Sequence, residues 1–350
     1  MIWLTWRQSR LRGASAAVVL AAFAVLLAVT GPHLASLYAG SSIGSCRGND
    51  CVGAADDFLQ QLYRTGTYWL LYLLGTVIIL VAPAIVGIFW GAPLIASEFE
   101  AGTHYLVWNQ SITRTRWLAV KLTLTGLAAM AVTEALSLMQ AWWATPISRA
   151  VARGAVASPL AMNQFSPLVF ATHGITPLGY AAFACALGVT AGVLVRRAVP
   201  AMALTLAVFA LVQVAMPLWV RPQMFPPDRT VTTLSSFSSV DVPINGGTLT
   251  VIPDGLGSQP EAWVLSSGAV NTAGQPVSAV PAACMEVVQT GKASHPALLD
   301  CLDSHGIRVA VTYQPASRYW AFQGTETGIY LALALALAGY CFWRIRRRLS

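Results

Sequence analysis

Among the residues able to do chemistry, the cysteines and histidines come first. Cys284 and Cys301 have His295 and His305 close by, residue types that can hold a metal, and Cys46 and Cys51 form a second close pair. Metal sites of this kind use C-x-x-C or helical His spacings. Neither spacing occurs, so no metal is expected. Two local disulfides, Cys46–Cys51 and Cys284–Cys301, are the expected chemistry, and they require an oxidising compartment. Asp56 and Asp57 are adjacent, point apart on a helix and make a poor acid/base pair. No GxxxxGK followed by Ser or Thr is present: Lys121 lacks the glycines, and Lys292 follows Gly291 but precedes Ala293. Without a P-loop the chain has no such means to hydrolyse ATP. HExxH is also missing. An enzyme is not expected, nor a cofactor bound by this chain.

The remaining chemistry lies in carboxylates set among apolar residues. Glu98 and Glu100 sit in ASEFEAGTHYLVWNQSITRTRW (residues 96–117), between two apolar runs. Glu134 lies deep inside the second run, with Ser137 on roughly the same face. A carboxylate at such depth is costly and faces a bundle interior or a cavity. It reads either as a pathway residue for a cation or polar group, or as a protonated packing contact. Ser97 followed three residues later by Glu100 fits a capping box at a helix start, where both carboxylates would favour the positive end of the helix dipole. Phe99, Thr103, Leu106 and Gln110 then recur every three to four residues, with Tyr105 and Trp108 placed to lie along a membrane surface. The spacing predicts a short interfacial helix ending near Ser111, ahead of Arg114 and Arg116.

The elements that must position these residues follow from composition. Of 350 residues, 56% are hydrophobic and 10% charged, and the mean hydropathy is +0.61, values that place the chain in a membrane. A hydrocarbon core of about 30 Å needs roughly 20 helical residues. Six runs qualify: about 14–38, interrupted by Gly31-Pro32, then 68–95, 117–145, 174–195, 199–220 and 327–343. The first is too long for a secretory signal and lacks a clean cleavage site. Twelve of the 21 basic residues fall in four short segments: the N-terminus, residues 114–121, the Arg196-Arg197 hairpin and the terminal WRIRRRLS. Positive charge resists translocation, so these segments and both termini are expected inside. That topology accounts for most of the net charge of +7 without a nucleic-acid partner.

The expected fold is therefore an α-helical integral membrane protein, with six transmembrane helices and a small α+β extracytoplasmic domain between the fifth and sixth. Residues 1–220 form a membrane domain with coupling region 96–116, residues 221–322 the outer domain, and residues 323–350 the sixth span and a basic cytoplasmic tail. The outer segment shows alternating runs at TLTVI (248–252) and RVAVTY (308–313), which suit strands. PALLDCLDSHGI reads as a helix ended by Gly306. Arg318, Tyr319, Trp320 and Phe322 read as an aromatic belt at the outer interface. His173 and Glu326 fall near that interface, where solvation would explain them.

The stretch SEFEAGTHYLVWNQSITRTRWLAVK resembles the E-x-E-x-G-T region of ABC-2 type transporter permeases, which lies between the second and third spans and includes the coupling region that docks onto the ATPase. The six-span layout is similar. So are LGVTAGVLVRRAVPAMALT (187–205), a basic hairpin between spans, and YQPASRYWAFQGTETGIYLALA (313–334), which resembles permeases from actinobacteria. The outer segment is larger than in the plainest members. The resemblance implies a homodimer in membrane lipid whose interface holds the pathway. It also implies two copies of a cytosolic ABC ATPase subunit that bind ATP and Mg and push through residues near 98 to 110. The implied coupling positions are Glu98, Phe99, Glu100, Gly102, Thr103 and Leu106, and the implied activity is efflux of a drug-like, lipid or peptide substrate across the bacterial cell membrane. A membrane sensor or anchor, whose ectodomain binds a ligand without transport, is the alternative.

Overall fold

In hydrocarbon each backbone N–H and C=O must be satisfied without water, so long apolar runs become helices. The computed structural model describes residues 2–46, 50–102, 113–155, 158–234, 240–241, 244–245, 248–249, 252–253, 261–284 and 295–348. Six of its helices are long and apolar enough to cross a membrane: Gly13–Gly40, Thr67–Glu100, Thr115–Trp143, Thr176–Val195, Ala198–Gln223 and Ala316–Arg347. An even number of crossings puts both chain ends on one side, here the terminal side; the other is the far side.

The first span lies in α1 (Ile2–Gly40), and α2 (Asp50–Thr65) follows on the far side. The second span is α3 (Thr67–Val86), a π turn at Gly87–Gly91, and α4 (Ala92–Glu100). The third is α5 (Arg114–Trp143), followed by the short α6 (Thr145–Ala152) and α7 (Pro167–Thr172). The fourth is α8 (Thr176–Val195). The fifth is α9 (Ala198–Ala215), prolonged by a π turn at Met216–Val220 and a 3-10 turn at Arg221–Gln223. The sixth opens at a 3-10 turn, Ala316–Arg318, and continues as α11 (Tyr319–Arg348).

Two departures have physical causes. The break expected at Gly31-Pro32 is absent, and α1 runs through Pro32. A membrane helix tolerates a proline when neighbours satisfy the freed groups, and here α1 is held against α5: Trp143 Nε1 donates to the Thr30 hydroxyl at 2.9 Å. The helix α2 falls in the connection between the first two expected spans, where the apolar runs predict no element. Its Ala55, Phe58, Leu59 and Leu62 follow i, i+3, i+4, i+7 spacing and are buried against Leu34, Tyr68, Trp143 and Ile147. The Cys46–Cys51 disulfide pins its first turn.

The bundle is organised around α8, whose apolar window is 78% buried against 39% or less for the other five spans. It can occupy that position because one of its faces is nearly all backbone. A Cβ on Gly188 would lie 2.3 Å from the Gly87 carbonyl oxygen, and one on Gly192 would lie 2.6 Å from that of Ala92. Conversely, Cβ atoms on Gly87 and Gly91 would come within 2.8 Å of the carbonyl oxygens of Ala184 and Cys185. Two small-xxx-small ridges, Gly87/Gly91 and Ala184/Gly188/Gly192, thus interlock, the arrangement by which membrane helices gain dispersion contact where no hydrophobic force drives them together. The π turn lies in this seam.

Between the fifth and sixth spans, β1 (Asp228–Thr232), β7 (Arg308–Gln314) and β6 (Trp263–Val270) form an antiparallel sheet in the order β1-β7-β6. Four two-residue strands pair beside it: β2 (Val240–Asp241) with β5 (Ile252–Pro253), and β3 (Ile244–Asn245) with β4 (Thr248–Leu249). Val309 and Val311 alternate inward from the central strand and meet Leu298 and Leu302 of α10 (His295–Ser304). The Cys284–Cys301 disulfide ties α10 to this core, and Gly306 ends the turn after the helix at φ +73°. Both disulfides lie on the far side.

Because the seam leaves no room for a side chain, Gly188→Val is expected to cost about 1–3 kcal/mol or more through overpacking. Gly339→Ala, with nothing within 4 Å of its Cβ, is expected to be neutral. Melting of the detergent-purified variants, followed by size-exclusion chromatography, checks the difference; equal melting of both would refute the seam.

Candidate functional site

The terminal-side end of α4 carries Glu98, Phe99 and Glu100, and each is bound to a different neighbour. Glu98 forms an ion pair with Lys121 of α5, whose ammonium also lies 4.9 Å from the Trp117 ring centroid. Lys121 is 6% exposed, so the pair is largely desolvated and stronger than a surface pair. The Glu100 carboxylate accepts from the Ala198 backbone N–H at 3.2 Å, at the first turn of α9, where the helix dipole favours a negative charge. The Phe99 ring lies 5.9 Å from the Arg196 guanidinium. Arg196 ends α8 in a left-handed conformation, φ 58°, which turns the chain sharply into α9. Behind this clasp, Leu94 and Ile95 of α4 pack with Trp117 and Leu118 of α5, Val189 and Val193 of α8, and Cys341 and Ile345 of α11.

The capping-box reading of Ser97 is corrected. Ser97 lies inside α4, with its hydroxyl donating to the Pro93 carbonyl four residues back, a common fate for a helical serine. No breaker falls between Ile95 and Glu100, so the second span simply continues. It ends at Gly102, whose φ of +69° is the left-handed conformation that glycine adopts after a helix. The two glutamates therefore lie at a helix C-terminus, where the dipole disfavours them; their ties to Lys121 and to α9 offset that cost. Thr103 and Leu106, with the rest of the expected interfacial helix to residue 112, lie outside the described residues.

A second polar cluster, buried at the far side, was read in sequence as interfacial. The Glu326 carboxylate is fully buried and accepts from Arg221 Nε at 2.9 Å and Nη2 at 3.1 Å. The Tyr180 hydroxyl donates to the same carboxylate at 2.5 Å. The guanidinium lies 3.9 Å from the Phe170 ring centroid. One turn earlier, Gln323 receives the N–H groups of Ile175 and Thr176 and donates to the carbonyls of Phe170 and His173. The reason is the start of α11: it begins at Tyr319, so residues 319, 322, 323, 326 and 330 share one inward face. Tyr319 and Phe322 accordingly join Phe165 and Phe170 in a buried aromatic cluster, and Trp320, on the opposite face, is 64% exposed as a belt residue would be. The sequence signal was available as an arginine and a glutamate at matching depth in consecutive spans. His173 is half-buried, with Nδ1 3.1 Å from the Val169 carbonyl; burial pulls its pKa below the usual histidine value.

Glu134 is half-buried in α5, and its Oε2 is buried without a hydrogen-bond partner among the described residues. Ser137, expected on the same face, instead bonds inward to the Thr172 carbonyl at 2.9 Å. Both expected disulfides are formed.

A bundle of this kind, with long apolar helices clasped at each end by buried ions, defines a multi-pass membrane protein. Residues 17–221 match the family described as ABC-2 membrane transporter related, and the chain belongs to that family. The chain is thus the membrane component of a transporter, and membership implies work with an ABC ATPase subunit. Among curated proteins and solved structures, none matches the chain.

Removing one member of a buried ion pair strands the other charge at a cost of about 3–5 kcal/mol, whereas replacing both with apolar residues is often neutral. Glu326→Ala should therefore sharply lower the melting temperature of the purified protein. The double variant Arg221→Leu/Glu326→Leu should recover most of the loss. A double variant as unstable as the single one would contradict the assignment.

Proposed function

We propose that the chain is the permease subunit of an ABC exporter in the bacterial plasma membrane, with both termini in the cytoplasm. Two copies form a dimeric pathway, and two copies of a separate cytosolic ABC ATPase hydrolyse ATP with Mg and drive export of a drug-like, lipid or peptide substrate. Residues 221–322 then form an extracytoplasmic domain. The observation that carries the reading is the clasp at the end of α4. Residues just before the coupling segment are bound to α5 and the α8–α9 hairpin and packed on α11, so a push delivered there reaches four spans at once.

Other features support the same reading. Arg196, Arg197 and the basic end of α11 lie on the terminal side, in keeping with positive charge inside, and both disulfides lie opposite, in keeping with an oxidising exterior. The half-buried Glu134, whose Oε2 is buried without a hydrogen-bond partner among the described residues, suits a surface that a second copy or an aqueous pathway completes. Since Glu98 and Glu100 are engaged within the chain, their part in coupling is to hold α4, while Gly102 and the residues beyond it meet the ATPase.

The test is co-reconstitution with the cytosolic ATPase and measurement of both hydrolysis and substrate efflux. Loss of a charge-assisted bond, about 1.5–3 kcal/mol, corresponds to roughly tenfold or more. Phe99→Ala with Glu100→Ala should leave the protein in the membrane and hydrolysis running, while transport falls about that much. Unchanged transport would sink the coupling assignment, and failure of any ATPase to copurify would favour a sensor.

A further inference from the structure

A cavity of about 170 Å³ lies on the far side, between the helix ends and the start of β6. Its polar lining among the described residues is Tyr72, Ser148, Gln164, His173, Glu261 and Tyr319, set on aliphatic side chains of α6 and α7. Glu261 is held in place by its neighbours: Asn163 Nδ2 donates to the Ala262 carbonyl at 2.9 Å, and Trp263 stacks on Phe165 with centroids 5.8 Å apart.

The lining is rich in acceptors. His173 Nδ1 lies 3.1 Å from both the Val169 carbonyl and the Thr172 hydroxyl, and that hydroxyl gives its own proton to the Leu168 carbonyl at 2.8 Å, so the arrangement fits a proton on Nδ1 with Nε2 left as an acceptor. The Ser148 hydroxyl donates to the Ala144 carbonyl at 2.9 Å, which leaves its oxygen lone pairs open. Glu261 makes no ion pair or hydrogen bond among the described residues, and burial raises its carboxyl pKa above the usual value. No lysine or arginine lines the cavity among the described residues. Arg221, the cation that shares Tyr319 with Glu261 as an electrostatic neighbour, is already bound by Glu326. A carboxylate, a neutral imidazole acceptor and two tyrosines, with no cation lining the cavity among the described residues, form a site suited to a positive charge.

We propose that this cavity binds an organic ammonium ion, with Glu261 as the counter-charge, His173 Nε2 as an acceptor and Tyr72 and Tyr319 as aromatic walls. The volume admits a small aryl-alkyl amine, since an apolar cavity of about 150 Å³ holds benzene. The site stands apart from the transport reading, because binding is measured on the permease alone without ATP or an ATPase.

The experiment titrates the detergent-purified full chain with benzylamine at about pH 8, where an alkylamine remains protonated, using calorimetry and thermal stabilisation. Benzyl alcohol is the neutral control. Saturable benzylamine binding is expected, weaker by about tenfold or more in Glu261→Gln, with little binding of benzyl alcohol. Glu261→Asp keeps the charge but retracts it, and should bind with intermediate affinity; ligand-free melting of each variant reports its fold. Equal benzylamine binding by wild type and a folded Glu261→Gln, equal binding of alcohol and amine, or no saturable binding of the amine would overturn the proposal.

Discussion

The backbone contact between the second and fourth spans is the constraint on which the other placements rest. At Gly188 and Gly87 two main chains approach so closely that no side chain fits between them. In lipid this closeness replaces the hydrophobic force that would hold helices together in water. A soluble bundle can absorb a misplaced methyl group by shifting its neighbours, but a seam of backbone against backbone has nothing to give. The position of α4 is therefore set by glycines well before its charged end is reached, and Glu98 and Glu100 arrive within reach of Lys121 and α9 because of that.

Each end of the bundle then uses charge in the same way. On the terminal side a largely buried Lys–Glu pair joins spans two and three. On the far side a fully buried Arg–Glu pair joins spans five and six, with Tyr180 of span four donating to the same carboxylate. Buried pairs are weak contributors to net stability but severe judges of geometry, because a slip that separates the partners leaves a bare charge in low dielectric. Glycines bring the helices close, and the ion pairs fix their register.

The sequence carried the spans, both disulfides and the helix before Gly306, because apolar length and cysteine proximity are local properties. It also carried α2 at Ala55, Phe58, Leu59 and Leu62, a helical spacing too short to register among apolar runs of membrane length. The role of Ser97 was misread because serine three residues before glutamate looks the same at a helix start and inside a continuing helix. Only the tertiary position of Gly102 separates the two cases. Glu326 failed differently: its partner is 105 positions away, so the signal lies only in comparing the depths of charges in consecutive spans, which no single stretch of sequence displays. Trp320 read correctly as an exposed aromatic, but Tyr319 and Phe322 did not, since the start of α11 determines which face each one takes.

That start has a mechanical consequence. Helix α11 is continuous from Tyr319 to Arg348, so Glu326 and Ile345 lie on one element roughly 28 Å apart at 1.5 Å per residue. The far-side ion cluster and the terminal-side apolar cluster beneath the α4 clasp thus share a single rod. A helix of this length bends little unless a proline or inserted group breaks its ladder, and no proline falls within α11. Displacement of its basic end must therefore either move the far-side cluster or shear the contacts around Ile345. Since Glu326 is locked to Arg221 and Tyr180, while the cluster around Ile345 joins α11 to its neighbours by apolar contact and a weak Thr190–Cys341 hydrogen bond at 3.2 Å, the softer joint of α11 lies on the terminal side.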